Sequence, residues 1–377
     1  MSTAITARIA DGVLSIPADE WDACAGPDNP FLSHGFLAAL ERSGSVGGRS
    51  GWQPLPVVVD GADGRPVAIA PAYAKAHSQG EYVFDHAWAD AWERAGGDYY
   101  PKLQVAVPFT PVPGPRLLLR DASAAPALIA ALETVTRRSQ LSSAHATFVD
   151  AAELPAWEAA GWLTRAGTQF HWENQGYAAF DDFLGALASR KRKAIRKERA
   201  AAVEGLTIQH LAGAEITEAH WDAFWEFYQD TGSRKWGRPY LTRPFFSMLS
   251  EALGDRVLLM LAYRGDRSIA GALNLVGADA LYGRYWGATE EVPFLHFELC
   301  YYQAIEAAIA RGLRRVEAGA QGEHKLARGY APVTTWSAHY LPDANFRRAV
   351  SDYLEREREA VAHEQEYLGE LTPFRRG

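Results

Sequence analysis

Apolar and β-branched runs punctuated by Gly and Asp turns set the pattern of this chain, and one such arrangement occurs twice, about two hundred residues apart. In the first half, Pro56-Val-Val-Val-Asp60, the turn Gly61 to Gly64, Arg65 to Tyr73 and an aromatic segment around Tyr82 to His86 follow in order. In the second half, Val257 to Tyr263, the turn Arg264-Gly-Asp266, Arg267 to Leu275 and Leu281 to Trp286 repeat the plan. Apolar runs bounded by such turns predict strand hairpins, and one long repeat of this kind is a duplicated domain rather than a solenoid. Function is therefore expected between two similar halves.

Helical spacing fills the rest. Ser33 is placed to cap a helix Gly35 to Arg42, and helices are predicted over 124–139, 153–160, 221–228 and 297–311, the last closed by Gly312. Strands are predicted at 146–149, 169–172 and 315–319. Gln104 to Pro115 carries four prolines in twelve residues; no helix interior or central strand tolerates that, so it reads as a rigid extended loop with an edge strand at its start. Residues 180–202 read as one helix with seven basic residues between Arg190 and Arg199, its Leu184, Leu187, Ile195 and Val203 turned inward. From 343 to 371, Tyr353-Leu354, Ala360-Val361 and Tyr367-Leu368 recur every seven residues, the stripe of a long helix that docks on its own chain or on a second copy. The alternation predicts mixed α/β halves, 1–172 and 173–377.

Composition narrows the function classes. With 377 residues, 48% hydrophobic and 22% charged, the chain is long enough for two or three globular domains. A formal charge of −8 argues against binding nucleic acid by overall charge, so a polyanion would have to be met locally. Two cysteines, Cys24 and Cys300, form no disulfide framework and are too few for a Cys-rich zinc site, and no metal is expected. The N-terminus lacks a basic segment followed by an apolar run, and no stretch reaches the roughly 20 apolar residues of a membrane span. A cytoplasmic protein is expected.

Candidate chemistry gathers in three places. Glu317-Ala-Gly-Ala-Gln-Gly-Glu-His-Lys325 leaves a predicted strand end, where α/β sheets bind ligands, and its glycines expose backbone N–H groups. Asp85-His86-Ala-Trp88 followed by Tyr99-Tyr100-Pro-Lys102 has the make-up of a pocket wall, aromatic for shape and polar for direction. Arg284 and Tyr285 hold the matching position of the second half. The basic helix reads either as an anion clamp or as a solvated face. Arg234, Lys235 and Trp236 form a further cation and indole loop of the kind that can hold a ligand. Cys300, mid-helix on an apolar face, reads as core. Walker, dinucleotide, HExxH and GxSxG motifs are absent from the sequence.

The segments 85–88, 99–115 and 319–325, with the order hairpin, helix 297–311, strand 315–319 and Lys325 to Tyr340, resemble the bacterial FemAB-like family of N-acyltransferases in the GNAT superfamily. The resemblance covers nearly the whole chain. It implies two tandem GNAT-like domains with a cleft between them, and direct attack of an amine on a thioester or ester carbonyl. Within it Glu317 or His324 would be the base, and Lys325 and Arg328 would steady the donor or an acidic acceptor, with Lys325 counted beside the two base candidates in the catalytic group. Asp85, His86, Trp88, Tyr99, Tyr100, Lys102, Arg284, Tyr285, Gln321 and Glu323 would shape the acceptor pocket. Thr289-Glu-Glu-Val-Pro293 stands where GNAT domains carry a pyrophosphate loop. The donor is expected to be acyl-CoA or another acyl thioester, used as co-substrate rather than tightly bound cofactor. The alternatives are aminoacyl-tRNA, met through Arg190, Lys193, Arg196 and Lys197, with a peptidoglycan precursor as acceptor, or a non-catalytic ligand-binding module. Monomer and homodimer both remain open.

Overall fold

Turn chemistry decides where the first strands lie. The computed structural model describes residues 6–236, 239–319 and 322–375, leaving the side chains of 232–236 and 323 outside that set. The early strands are β1 (Thr6–Ile9), β2 (Trp52–Pro54), β3 (Val57–Asp60), β4 (Pro66–Ala70), β5 (Ala72–Lys75), β6 (Lys102–Val105), β7 (Leu118–Leu119) and β8 (Ala144–Val149). The expected hairpin is β3 and β4, turned by Gly64 at φ 76°, a backbone angle that glycine adopts without steric cost. These two strands form the centre of a four-stranded sheet ordered β1-β3-β4-β7.

The chain divides into two compact units, residues 1–167 with 334–363, and residues 168–333 with 364–377. The first unit thus takes in a C-terminal strand and most of the last helix, which the sequence reading assigns to the second half. In chain order the later strands are β9 (Leu163–Glu173), β10 (Thr207–Ala212), β11 (Val257–Arg264), β12 (Arg267–Val276), β13 (Ala280–Ala288), β14 (Arg315–Glu317) and β15 (Ala331–Tyr340). The return has a physical cause: β15 pairs antiparallel with β8, setting His339 against His145 and Ser337 against Thr147. The Tyr82 to His86 segment is no strand either. It leads into a helix, His86–Arg94, so the two halves repeat the hairpin but not its third member.

In the first unit β15, β8, β6, β5 and β2 lie side by side. The strand opening the proline-rich segment is β6, which is interior to this sheet and not at its edge; the prolines begin only after it. One sheet face is apolar: Ala72, Leu103, Val105, Ala144, Ala146 and Ala338 pack with Leu128, Leu132 and Val135 of the helix Ala125–Arg138. By strand alternation the other face carries Lys75, Lys102, Gln104, His145, Thr147, Ser337 and His339, none more than 3% exposed. A fully buried polar face has to satisfy its own hydrogen bonds. The proline-rich loop is held the same way: buried Arg116 donates to the carbonyls of Val112, Gly114, Pro115 and Thr147, while Glu153 accepts the N–H groups of Arg116 and Leu117.

In the second unit β10 to β13 form an antiparallel meander, β14 joins β13 in parallel, and β9 joins β14 antiparallel. The predicted helix 297–311 is three pieces: Leu295–Phe297, a π-helical turn Glu298–Tyr302, and Gln303–Ala310. Its Leu299, Tyr302, Ile305 and Ala308 enter a core with Met260, Ile269, Leu281 and Val316. The basic stretch is two helices, Phe180–Ala186 and Ser189–Ala202, because Leu187 and Ala188 are extended. In the last helix, Ala344–Glu370, Phe346, Val350 and Leu354 pack on Trp88 and Tyr99, and Leu368 joins the second core.

Candidate functional site

At the end of β14 the parallel pairing with β13 covers only Ala280 to Tyr282 opposite Arg315 to Glu317, while β13 runs on to Ala288. A register shift interrupts β12 and β13 between Leu273 and Asn274. Beside these irregularities lies a cavity of about 100 Å³ lined by Asn274, Gly283, Arg284, Tyr285, Tyr301 and Ala318 among others. Gly283 forms part of that wall, where a Cβ would make ordinary contacts, 3.4 Å from Asn274 Oδ1 and 3.6 Å from the Glu317 carbonyl.

Glu317 is 4% exposed. Its Oε1 accepts a 2.9 Å bond from Arg315 Nε, and Arg315 is held in turn by Asp279 at 2.5 Å. Its Oε2 is buried without a hydrogen-bond partner, 3.9 Å from His171 Nε2. Burial pushes the carboxyl up to about 7 although Arg315 opposes the shift, and burial drives His171 down to about 3. A neutral imidazole therefore faces a carboxyl poised near neutrality. His171, Gln169, Asn274 and Arg315 are absent from the sequence-based candidates; β9 brings His171 opposite Glu317 from 146 positions away, a pairing no local motif reports.

The glycine-bearing turn behaves unevenly. His324 is exposed on the short helix Glu323–Arg328, its Nε2 2.8 Å from the Tyr301 hydroxyl. Lys325 is buried, donates to the Gly319 carbonyl at 2.8 Å, and is lowered by burial to about 7. Arg328 is buried over the Phe297 ring at 3.5 Å and bonded to Glu198 and the His324 carbonyl, the posture of a clamp on its own fold. Gln321 and the side chain of Glu323 lie outside the described residues, as do the side chains of Arg234, Lys235 and Trp236. Tyr285 packs on Tyr228 at 5.3 Å and lies beside Arg284. Cys300 is half-buried against the core and also lines the cavity.

The first-half candidates meet in a different kind of site. Lys102 Nζ donates to Asp85, to Glu81 at 2.7 Å and to Ser78 at 2.8 Å, and Tyr99 OH donates to Asp85 at 2.7 Å. His145 follows at 3.3 Å from Tyr99 OH, and its Nδ1 is 2.8 Å from that of His339. Burial works against the Asp85 charge, but Lys102 outweighs it and holds the carboxyl well below the usual range. Burial pushes Glu81 up to about 7 and lowers Lys75 to about 7. Trp88 is buried against His339 at 4.8 Å. Tyr100 is half-buried and bonded to Ser78. His86 is exposed and stacks on Phe84, apart from the group formed by its neighbour Asp85.

On the helix Ser189–Ala202, Arg190, Lys193, Arg196 and Lys197 are exposed, with Arg196 3.1 Å from Asp181. Arg199 instead turns in to Glu298 and Glu306. In the segment Thr289 to Pro293, Glu290 pairs with Arg264 and Arg267.

Mixed α/β sheets in two compact units define the fold class. Within it, the chain belongs to the FemAB-like family, described as peptidoglycan biosynthesis/recognition, which it matches over residues 12–376. A comparison with curated proteins finds no match. Among solved structures, FemX is 12% identical with a TM-score of 0.55, over 89% of this chain and 98% of that one. The C-terminal domain of a protein described as a lysylphosphatidylglycerol synthetase from Agrobacterium fabrum is 10% identical, TM-score 0.53, over 89% and 95% of the two chains. L-PGS from Bacillus licheniformis is 10% identical, TM-score 0.51, over 84% and 94%. At such identities the likeness is one of fold. No helix among the described residues is long and apolar enough to cross a membrane.

Proposed function

We propose that this protein is a transferase that moves a small acyl or aminoacyl group from an activated ester onto an amine of a peptidoglycan precursor, with Glu317 as general base. The observation that carries the reading is the geometry of the Glu317 carboxyl, buried, held by Arg315 through one oxygen and unbonded at the other, a setting in which burial pushes it up to about 7. A base works best when its pKa lies near the operating pH. In the proposed step the amine nitrogen attacks the donor carbonyl, the C–N bond forms as Glu317 Oε2 takes the amine proton, and the C–O or C–S bond to the donor breaks with protonation of the leaving group. The neighbouring cavity of about 100 Å³ has the room of about three waters at roughly 30 Å³ each, which suits a small acyl head.

Two donors have support. The exposed cations Arg190, Lys193, Arg196 and Lys197 suit the phosphates of aminoacyl-tRNA, since local cations serve even where the net charge is acidic. An acyl thioester fits the cavity equally, but at the acidic segment Thr289 to Pro293 the cations Arg264 and Arg267 are already paired with Glu290. Family membership supports a peptidoglycan precursor as acceptor, or as ligand if the protein binds without turnover.

The test is single-turnover transfer from bulk aminoacyl-tRNA and from acetyl-CoA to an amine-bearing peptidoglycan precursor, with Glu317→Gln beside the wild type. Transfer in the wild type, reduced by about 10²-fold or more in the variant, the scale of general-base catalysis, is the expected result. Precursor binding without transfer from either donor would leave the binding-module reading in its place.

A further inference from the structure

The buried polar face of the first unit brings two lysines and two carboxylates together. Lys75 and Lys102 stand opposite each other on β5 and β6, and neither has exposed surface. The Glu81 carboxylate straddles them, Oε2 2.7 Å from Lys102 Nζ and Oε1 3.8 Å from Lys75 Nζ. Trp52 lies under Lys75 at 3.8 Å, and the rings of Tyr99 and Tyr100 flank Lys102 at 5.5 and 5.9 Å. Two ammonium groups on neighbouring strands, bridged by one oxyanion over aromatic walls, form an anion seat, and its present occupant is a side chain of the same protein.

That occupant arrives on an irregular segment. Residues 76–85 contain neither helix nor strand, and Gly80 and Tyr82 both have positive φ, 79° and 61°. Side chains tie the segment down: Trp52 Nε1 and Lys75 Nζ both donate to the Gln79 carbonyl, Ser78 meets Tyr100, and Arg165 donates to the Phe84 carbonyl. The seat is also incompletely satisfied. Glu81 Oε1, Asp85 Oδ1 and Gln104 Oε1 are buried without hydrogen-bond partners, a cost that a purely structural plug would be expected to avoid.

We propose that Lys75 and Lys102 form a binding site for a phosphate or diphosphate group, and that segment 76–85 is a lid whose Glu81 occupies the site until such a ligand displaces it. Asp85 stays on Lys102 and Tyr99, so displacing Glu81 leaves two ammonium groups against one carboxylate and one anionic place to fill. The site lies wholly in the first unit and does not depend on Glu317.

The experiment uses the full chain with inorganic pyrophosphate as probe and potassium chloride at equal ionic strength as control. The wild type should bind pyrophosphate weakly by calorimetry, and hydrogen exchange in 76–85 should quicken on binding. Glu81→Gln should bind at least tenfold more tightly. The double variant Glu81→Gln/Lys75→Met, which removes one charge of each sign, should lose that gain. A folded Glu81→Gln protein with no gain over the chloride control overturns the proposal. If Glu81→Gln does not fold, the wild type decides: exchange in 76–85 as slow as in β6, with or without pyrophosphate, overturns it, and faster local opening with pyrophosphate supports it.

Discussion

The two units surround their buried carboxylates differently. In the first, Asp85 and Glu81 are met by Lys102, and Asp85 is held well below its usual range because the ammonium outweighs burial. In the second, Glu317 keeps one oxygen without a bond, its guanidinium partner is shared with Asp279, and burial wins, pushing it up to about 7. Glu81 shares with Glu317 the rise to about 7 and one unbonded oxygen, but two lysines flank it at 2.7 and 3.8 Å, so the difference between the units lies in the ion pairing around the carboxyl rather than in its burial. Perturbed carboxyls with an unsatisfied lone pair therefore occur in both units, at Glu81 and at Glu317, and each is a candidate functional group.

The largest expected effect breaks the comparison at the proposed base. Glu317→Gln should lower transfer by about 10²-fold or more, and the rising limb of the wild-type pH–rate profile, expected near 7, should vanish with it. The same variant should be no less stable than the wild type. A folded-state pKa raised above the ordinary value of 4.5 means stability that is present below that value and lost as pH rises through about 7. Chemical denaturation at pH 5 and pH 8 should therefore show the variant gaining on the wild type at the higher pH; equal slopes would mean that Glu317 is not the titrating group.

Lys102→Met tests the other end. Leaving Glu81 and Asp85 buried without their ammonium should cost about 3–5 kcal/mol, the scale for breaking a buried pair, read as loss of the first unit's denaturation transition. A change under about 1 kcal/mol would show that water or rearrangement already compensates the pair.

Acid should act on both units through their histidines. Burial lowers His145 and His171 to about 3 and His339 well below its ordinary range. These groups stabilise the fold while neutral, and that stability drains away as pH falls from about 6.5 toward 3. Glu81, Glu153 and Glu317, all raised to about 7, oppose this from pH 7 down to 4.5. Thermal unfolding should thus vary little between pH 6.5 and 4.5 and fall steeply below; a steady fall from pH 6.5 would show that the carboxyls are already ionised in the fold.

The smallest expected effect is on stability from reversing charge on the exposed helix face. Arg190→Glu/Lys193→Glu/Lys197→Glu should shift stability by no more than about 0.5 kcal/mol per site, as surface changes do. It should weaken aminoacyl-tRNA binding and flatten its salt dependence, while leaving acetyl-CoA binding unmoved. Unchanged tRNA affinity would turn the face back into a solvated surface.

Much of the scaffold was legible because it is written in short range. The turn at Gly64 and the runs 57–60 and 257–264 report their strands, Ser33 accepts from Phe36 N as a cap should, and the seven-residue stripe delivers Leu354 and Leu368 to buried positions. Expectations failed where pairing is long range. The Pro-rich segment hid an interior strand because β6 ends before its first proline, and the basic stretch breaks at Leu187, two residues after Gly185, a breaker that the single-helix reading passed over. β15 returns to β8, and the Asp85 to His86 motif splits because adjacent residues at a helix start face different ways.

By itself, then, the amino-acid order determined the mixed α/β class, the hairpins, the caps and which residue types were available for chemistry, since periodicity and turn propensity act over a few positions. Only the tertiary structure decided partners: Lys102 with Glu81, His145 with His339 194 positions away, and Glu317 with Arg315 and His171. Burial and pairing are set by what the rest of the chain brings alongside, and they decide whether a carboxyl keeps its charge or is pushed toward neutrality.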